Sequence, residues 1–218
     1  MVLNKETAQQ IAKSLLQIKA IILNPSEPFV WSSGWHSPIY CDNRITLSHT
    51  EVRTYIRQFL VEGILSKYGK PDIIAGVATG AIAHGVLVAQ ELGLPFAYVR
   101  ASSKDHGRQN LIEGSIESGQ SVVVIEDLVS SGKSSLAAVS ALREKGLVVN
   151  GMAAIFTYGF DQAKQNFENA NCDLFTLGDY QTLIEQALQT KYITENEVAI
   201  LKQWRENPSQ WKVENESN

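Results

Sequence analysis

Two adjacent carboxylates followed by a run of small hydroxyl residues are the part of this sequence best suited to chemistry. Glu126 and Asp127 come directly after four apolar β-forming residues, Val122 to Ile125, and the segment Ser130-Ser131-Gly132-Lys133-Ser134-Ser135 follows them. Two neighbouring carboxylates repel each other unless a cation or hydroxyl groups bind them. A ribose diol, alone or with Mg²⁺, would satisfy both acids, so the pair predicts a sugar site.

The elements that must position these residues predict a phosphate cradle beside the acids. Val122 to Ile125 is typical of a buried strand that ends at the acidic pair, and the apolar spacing from Leu136 to Leu142 predicts a helix after the small-residue turn. Such a turn directs backbone N–H groups and the positive end of the helix dipole into the loop. It is not a nucleotide-binding P-loop, which needs a glycine where Asp127 stands. An ordinary strand-to-helix turn with incidental acids is the alternative.

The stretch from Val123 to Gly132, VVIEDLVSSG, resembles the phosphoribosyl pyrophosphate (PRPP) motif of the type I phosphoribosyltransferases. The resemblance implies that the acidic pair faces the ribose hydroxyls, that Asp127 takes part in catalysis, and that the loop holds the 5′-phosphate. It also implies that a second strand-to-helix loop, at Thr79-Gly80, touches the pyrophosphate. The PRPP-binding residues implied in this motif are Glu126, Asp127, Leu128, Val129, Ser130, Ser131, Gly132, Lys133 and Ser134.

A polar loop after the strand at Pro95–Val99 carries four basic side chains in an otherwise acidic chain. They are Arg100, Lys104, His106 and Arg108. A loop of this kind between strands is often functional, and a solvated charged loop is the alternative. The sequence Lys-Asp-His-Gly that begins at Lys104 resembles the catalytic loop of the orotate phosphoribosyltransferases, a group within the same family. The resemblance implies that Lys104 and His106 are catalytic and bind the pyrophosphate of PRPP together with Arg100.

The aromatic segment at residues 27–47 predicts a small hairpin, part of an N-terminal subdomain of about residues 1–47 that is here called the hood. Its two short β runs, Phe29-Val30-Trp31 and Ile39-Tyr40-Cys41, flank a Ser-Ser-Gly turn. Its aromatic side chains suit either a lid over a flat polar ligand or simply the packing of the subdomain. The segment resembles the N-terminal region of bacterial orotate phosphoribosyltransferases. This implies that Tyr40 and Cys41, together with Ser130 of the PRPP motif, bind orotate.

The orotate carboxylate needs a cationic partner. Some relatives place a lysine where this chain has Ser32, and the family often places an arginine just past the strand that ends near Phe156, where this chain has none. We therefore assign the carboxylate to Arg44, whose guanidinium can hold it in a bidentate pair.

Repeated strand–helix units predict an α/β fold with a doubly wound, mostly parallel sheet, the type I phosphoribosyltransferase fold. We expect a single domain over residues 1–218, with the hood at about residues 1–47 and a polar, frayed tail at 207–218. An amphipathic helix is predicted over residues 4–23. Capping boxes are predicted at residues 48–51 and 194–197.

Composition limits the function classes. Hydrophobic content of 44% and charged content of 19% are ordinary for a soluble globular protein, while a net charge of −4 and a pI near 5.6 argue against a nucleic-acid partner. Cys41 and Cys172 lack metal-site spacing and predict free thiols of a reducing compartment rather than a disulfide or metal site. No signal-like or membrane-spanning stretch is evident, so we expect a cytoplasmic protein without a membrane partner.

The resemblance implies transfer of the phosphoribosyl group from PRPP to orotate, giving orotidine 5′-monophosphate and pyrophosphate in UMP biosynthesis. It further implies Mg²⁺ as cofactor, no cluster of protein metal ligands, and a homodimer whose catalytic loop is shared across subunits. A transferase for a purine or uracil would share the PRPP motif but lack the Lys104 loop and the hood. A ligand-sensing regulator on the same fold would be expected to carry a basic surface or a helix-turn-helix.

Overall fold

A computed structural model describes residues 2–31, 34–100 and 111–211. The helices are α1 (Lys5–Gln17), α2 (Thr50–Tyr68), α3 (Ile82–Leu92), α4 (Lys133–Glu144), α5 (Asp161–Asn169), α6 (Tyr180–Gln189) and α7 (Glu195–Glu206), with a 3-10 helix at Asn43–Ser48. The strands are β1 (Ile21–Leu23), β2 (Phe29–Val30), β3 (His36–Ser37), β4 (Ile39–Cys41), β5 (Ile73–Val77), β6 (Phe96–Val99), β7 (Ile112–Glu113), β8 (Ser121–Val129), β9 (Val148–Thr157) and β10 (Leu174–Asp179).

The main sheet has six strands in the order β10-β9-β8-β5-β6-β7. All neighbours are parallel except β7, which runs antiparallel to β6. Alternate strand residues face opposite sides, so Val123 packs with α1, α2 and α3, whereas Val122 and Val124 pack with α4 and α5. Apolar cores on both faces of a mostly parallel sheet confirm the predicted doubly wound α/β fold.

Strand β8 is longer than its apolar run. It stays paired with β9 through Glu126 opposite Ala154 and as far as Val129 opposite Thr157. The prediction that the strand ends at the acidic pair was therefore wrong, because the long neighbouring strand β9 continues the ladder beyond Ile125. Strand β5 pairs with β8 only up to Ile125, so the two acids lie beyond the last residue pair of these strands.

The hood is built differently from the prediction. Helix α1 ends at Gln17, and the segment predicted as its last turns forms β1, which pairs with β4. Lys19 has φ 58°, a left-handed conformation that ends helical geometry before β1 begins. Strand β2 pairs with β3 around the predicted turn, so the hairpin exists but Ile39–Cys41 is not its second arm.

The two predicted capping boxes had opposite outcomes. Thr194 and Glu197 exchange hydrogen bonds at the start of α7, as predicted. The box at residues 48–51 was wrong, since Ser48 belongs to the 3-10 helix and α2 starts after His49 without a side-chain cap. Residues 207–211 of the predicted tail form a turn in which the Trp211 N–H donates to the carbonyl of Asn207.

Two composition-based expectations can be compared with the described residues. Both cysteines, Cys41 and Cys172, are free. No helix in the described ranges is both long and apolar enough to cross a membrane.

Candidate active site

Two of the predicted loops meet at Asp127. The loop after β5 brings Gly80 against this side chain so closely that a methyl group on Gly80 would overlap the carboxylate. Parallel strands end at the same edge of a sheet, which explains why the loop at residues 78–81 and the acids of β8 converge. The loop therefore lies beside the PRPP motif, and the Thr79 side chain is exposed. Its contact with pyrophosphate stays a prediction.

The two acids occupy different environments. Glu126 is only 4% exposed, and its carboxylate accepts hydrogen bonds from the Ser135 hydroxyl of α4 at 2.8 Å and from the Asp127 backbone N–H at 2.9 Å. Burial, followed by the adjacent Asp127 carboxyl, raises the pKa of Glu126 to about 8. Burial therefore disfavours the ionised form of Glu126, and Asp127 is the more accessible acid.

The small-residue loop has the form of an anion cradle. Gly132 precedes α4 with φ +76°, and a side chain there would overlap Phe167 of α5, so only glycine fits. The backbone N–H groups of Ser131 and Gly132 donate to no other residue within the described ranges. Asn166 donates its side-chain amide to the Ser131 carbonyl at 2.9 Å and holds the loop from α5. Free N–H groups at a fixed helix N-terminus suit a phosphate.

Two of the predicted PRPP-binding residues belong to the sheet. Val129 is fully buried in the core, and its carbonyl accepts hydrogen bonds from the Thr157 hydroxyl and the Tyr158 N–H. Leu128 packs against the opposite core. Their side chains are used for packing because β8 continues past the acids, whereas Ser130, Lys133 and Ser134 lie beyond the strand with side chains at least partly exposed.

The hood contacts β8 at the same acid. The amide of Asn43, at the start of the 3-10 helix, donates to the Asp127 carbonyl at 2.6 Å. Burial and the nearby Asp127 and Asp42 carboxylates raise the pKa of the Cys41 thiol well above its ordinary value. Tyr40, the other predicted orotate residue of β4, is 40% exposed. The structure thus brings the predicted acceptor side and donor side together.

Arg44 is engaged within the hood. Its guanidinium donates from Nε and Nη2 to both carboxylate oxygens of Asp42, at 2.7 and 2.8 Å. The side chain is 61% exposed, and no hydrogen bond from Nη1 is formed within the described ranges. One edge of the predicted carboxylate-binding group is therefore already occupied.

The hood aromatics divide between the two predicted roles. The ring centroid of Trp31 lies 5.2 Å from that of Tyr158 and 5.6 Å from that of Trp204, which supports the packing interpretation for this residue. These three rings, with Phe160 and Tyr180, form what we call the aromatic cluster. Trp35 instead lines a cleft of about 280 Å³ together with Ser130 and Ser131.

Arg205 of α7 is a site residue that sequence reasoning missed. It donates from Nε to the Tyr158 carbonyl at 3.1 Å and from Nη2 to the Gly159 carbonyl at 2.6 Å, and it lines the same cleft as Ser130. Ser135 and Asn166 were missed as well. Asn43 was considered only as part of a lid over the ligand, and its bond to Asp127, 84 positions later, was not predicted. Local patterns carry no signal of such long-range contacts.

The basic loop is described only at its ends. Arg100 donates its backbone N–H to the Leu111 carbonyl at 2.8 Å, and its guanidinium lies 3.5 Å from a Glu113 carboxylate oxygen. It stands at the end of β6, two strand spacings (about 10 Å) from β8. Lys104 and His106 lie outside the described residues.

Comparison with known proteins gives the class first. The family described as phosphoribosyl transferase domain matches residues 47–189, which include β5, β8 and both candidate loops. A crystal structure of orotate phosphoribosyltransferase from Aeropyrum pernix superimposes with a TM-score of 0.74 at 26% identity, covering 84% of this chain and 99% of that one. The chain is a phosphoribosyltransferase with the type I fold.

Curated relatives give the particular family. An orotate phosphoribosyltransferase from Porphyromonas gingivalis is 52% identical over 96% of this chain and 100% of its own length. One from Listeria innocua is 51% identical over 93% of this chain and 97% of its own length. The chain belongs to the orotate phosphoribosyltransferase family.

Proposed function

We propose that this protein transfers the 5-phosphoribosyl group of PRPP to orotate, producing orotidine 5′-monophosphate and pyrophosphate in pyrimidine biosynthesis. The observation that carries the proposal is the position of Asp127. This acid contacts the loop at Gly80, its strand leads into the phosphate cradle, and its carbonyl is bound by the hood. A donor sugar and an acceptor base would meet at such a point.

The reaction requires little covalent chemistry from the protein. Departure of pyrophosphate leaves oxocarbenium character on the ribose, so the site must stabilise positive charge on the sugar and negative charge on the leaving group. Asp127 holds the ribose hydroxyls and supports the developing positive charge. Glu126 fixes the backbone of Asp127 through their shared hydrogen bond. Residues 130–134 hold the 5′-phosphate.

The leaving group is assigned to the basic loop. Lys104 and His106 neutralise the pyrophosphate, and Arg100, anchored at the base of this loop, contributes a third cationic group. Closure of such a loop would exclude water, which would otherwise hydrolyse PRPP.

Magnesium fits the oxygen groups at this site. When bound, Mg²⁺ would neutralise pyrophosphate charge, and it prefers phosphate and hydroxyl oxygens, waters and few carboxylates. The accessible Asp127 is the carboxylate closest to that role, because Glu126 is buried and bound to Ser135.

The orotate carboxylate has two candidate partners. Arg44 is largely exposed, just beyond β4, and Arg205 lines the cleft that Ser130 and Trp35 share. We assign the carboxylate to Arg44, and Arg205 is the second candidate. Arg44→Ala should raise the KM for orotate about ten-fold or more and leave the KM for PRPP nearly unchanged. If Arg205→Ala raises the KM for orotate and Arg44→Ala does not, the carboxylate is bound by Arg205 instead.

We further propose a cytoplasmic homodimer in which the basic loop completes the neighbouring active site. Mixing Lys104→Ala and Asp127→Asn subunits tests this arrangement, because a hybrid dimer has one site free of both substitutions. Recovery of activity on mixing supports sharing across subunits. Inactivity of a mixture shown to contain hybrid dimers would place each loop in its own subunit's site.

The reaction itself is tested by following orotate absorbance with PRPP and Mg²⁺. Hypoxanthine, adenine and uracil serve as alternative acceptors, and Asp127→Asn serves as the matched inactive variant. We expect PRPP-dependent consumption of orotate alone. Turnover of another base in place of orotate would contradict the acceptor, and inactivity with all four would contradict the enzyme assignment.

A further inference from the structure

Asn43 fills a gap in the central sheet next to the catalytic acid. Strand β5 pairs with β8 only as far as Gly76 opposite Ile125 and then turns away into the loop at residues 78–81. The Asp127 carbonyl lies two residues past that point, where β5 supplies no amide. The Asn43 side chain supplies the donor instead, at 2.6 Å. A residue of the hood therefore extends the hydrogen bonding of β8 at Asp127.

The same asparagine belongs to a buried chain of hydrogen bonds. The Thr46 hydroxyl donates to the Asn43 carbonyl at 2.5 Å and lies 3.0 Å from Nε2 of His84. Because the single hydroxyl proton is used toward Asn43, His84 must donate from Nε2 to the Thr46 oxygen. Burial first, and the charge of Arg53 second, lower the pKa of His84 to about 4, which agrees with a neutral imidazole.

This chain links the elements that surround the ribose. Asn43 and Thr46 belong to the hood, the bonded carbonyl belongs to Asp127, and His84 lies in the first turn of α3, which directly follows the loop of Gly80. All three side chains are 2% exposed or less. A buried hydrogen-bond network of this kind holds its members in one geometry, because breaking any bond leaves a desolvated polar group.

Two acceptors of the network remain unpaired within the described ranges. Oδ1 of Asn43 and Nδ1 of His84 are buried and have no hydrogen-bond partner there. An asparagine used only for stability would not need to leave its oxygen buried and unbonded, since an apolar residue of similar size avoids that cost. The hydrogen bond that the Asn43 amide donates to the Asp127 carbonyl explains why an amide is present here.

We propose that Asn43 is a positioning residue for Asp127, and that Thr46 and His84 make its position depend on helix α3. The inference rests on the proposed function, in which Asp127 holds the ribose. Substrate does not touch Asn43, whose effect passes through the β8 backbone. The hood thereby sets the donor site as well as the acceptor site.

The test is a double-mutant cycle on Asn43→Ala and Asp127→Asn, with Mg²⁺–PRPP affinity measured by calorimetry. Asn43→Ala should weaken PRPP binding about ten-fold in the wild-type background and have almost no further effect when Asp127 is already replaced. Equal losses in both backgrounds, or no loss at all, would overturn the proposal. The cycle measures PRPP binding in the absence of orotate. It therefore remains informative even if orotate is not the acceptor.

Matched variants separate positioning from stability. Tyr68→Phe removes an exposed hydrogen bond to Asp173 near the opposite ends of the strands and should leave PRPP affinity unchanged. Thr46→Ser keeps the hydroxyl and should retain affinity, whereas Thr46→Val should reproduce part of the Asn43→Ala loss. If Asn43→Ala does not fold, the Thr46 pair carries the test in the same cycle. Equal affinity of the two Thr46 variants would then count against the proposal.

Discussion

Gly80 lies directly against the Asp127 carboxylate, and even a methyl group at this position would overlap it. Gly80→Ala should therefore displace either the loop or the acid and lower kcat/KM about 100-fold, since a misplacement of about 1 Å can have such an effect. Steady-state kinetics with PRPP as the varied substrate measures the change. Gly151→Ala is the matched control, because its methyl group would overlap Tyr68 far from the site. Similar losses of kcat/KM in both variants would contradict a specific role for Gly80.

Glu126 should make stability depend on pH. Its pKa is raised from 4.5 to about 8 in the folded protein, so the stability associated with its protonated form is complete below about pH 4.5 and is lost as the pH rises through 8. Glu126→Gln stays neutral. Its free energy of unfolding relative to wild type should increase by a few kcal/mol between about pH 5 and pH 9. Urea unfolding across this range measures it, with the exposed Glu117→Gln as control, and parallel profiles for wild type and Glu126→Gln would refute the burial effect.

His84 should make the stability of the protein depend on pH below neutrality. Its pKa is lowered from 6.5 to about 4, so protonation is disfavoured in the folded state and stability falls as the pH drops from about 6.5 toward 4. His84→Gln keeps a donor for Thr46 but does not titrate. Unfolding measured from pH 7 to pH 4 should show wild type losing stability relative to this variant. The exposed His36→Gln is the control, and an unchanged difference over that range would contradict a buried neutral His84.

Lys104 is predicted to act on the leaving group. Lys104→Ala should lower kcat on the order of 100-fold while changing orotate affinity little, because the lost charge would stabilise pyrophosphate in the transition state. Pre-steady-state turnover and orotate binding give the two quantities. Lys202→Ala, an exposed lysine of α7, is the control. Unchanged turnover would refute the assigned role.

Local patterns predicted the elements that local forces determine. The helix predicted from the apolar spacing of Leu136 to Leu142 is α4, because that periodicity and the preceding small-residue turn lie within one segment. The PRPP motif could also be recognised from the sequence, since its acids and small residues are contiguous. The family resemblance supplied the acceptor, which composition and spacing alone do not identify.

Contacts between distant residues were not predictable from the sequence. The length of β8 depends on β9, and the pairing of β1 with β4 replaced the last turns of the predicted first helix. The bond from Asn43 to Asp127 spans 84 positions. The burial of Glu126 against Ser135 depends on how α4 packs on the sheet. Each outcome is decided by tertiary packing, which overrides the local preference.

The hydrogen bond from the Trp204 indole to the His36 carbonyl, 3.2 Å long, joins the hood to a helix 168 positions later in the chain. On the ribosome, a chain emerges from its N-terminus onward. The hood is therefore synthesised before α7, but Trp31 can pack in the aromatic cluster only after Trp204 of α7 has been synthesised. Assembly of the predicted acceptor site thereby requires synthesis as far as Trp204, and nascent chains that stop earlier would leave the ribosome with an unanchored hood.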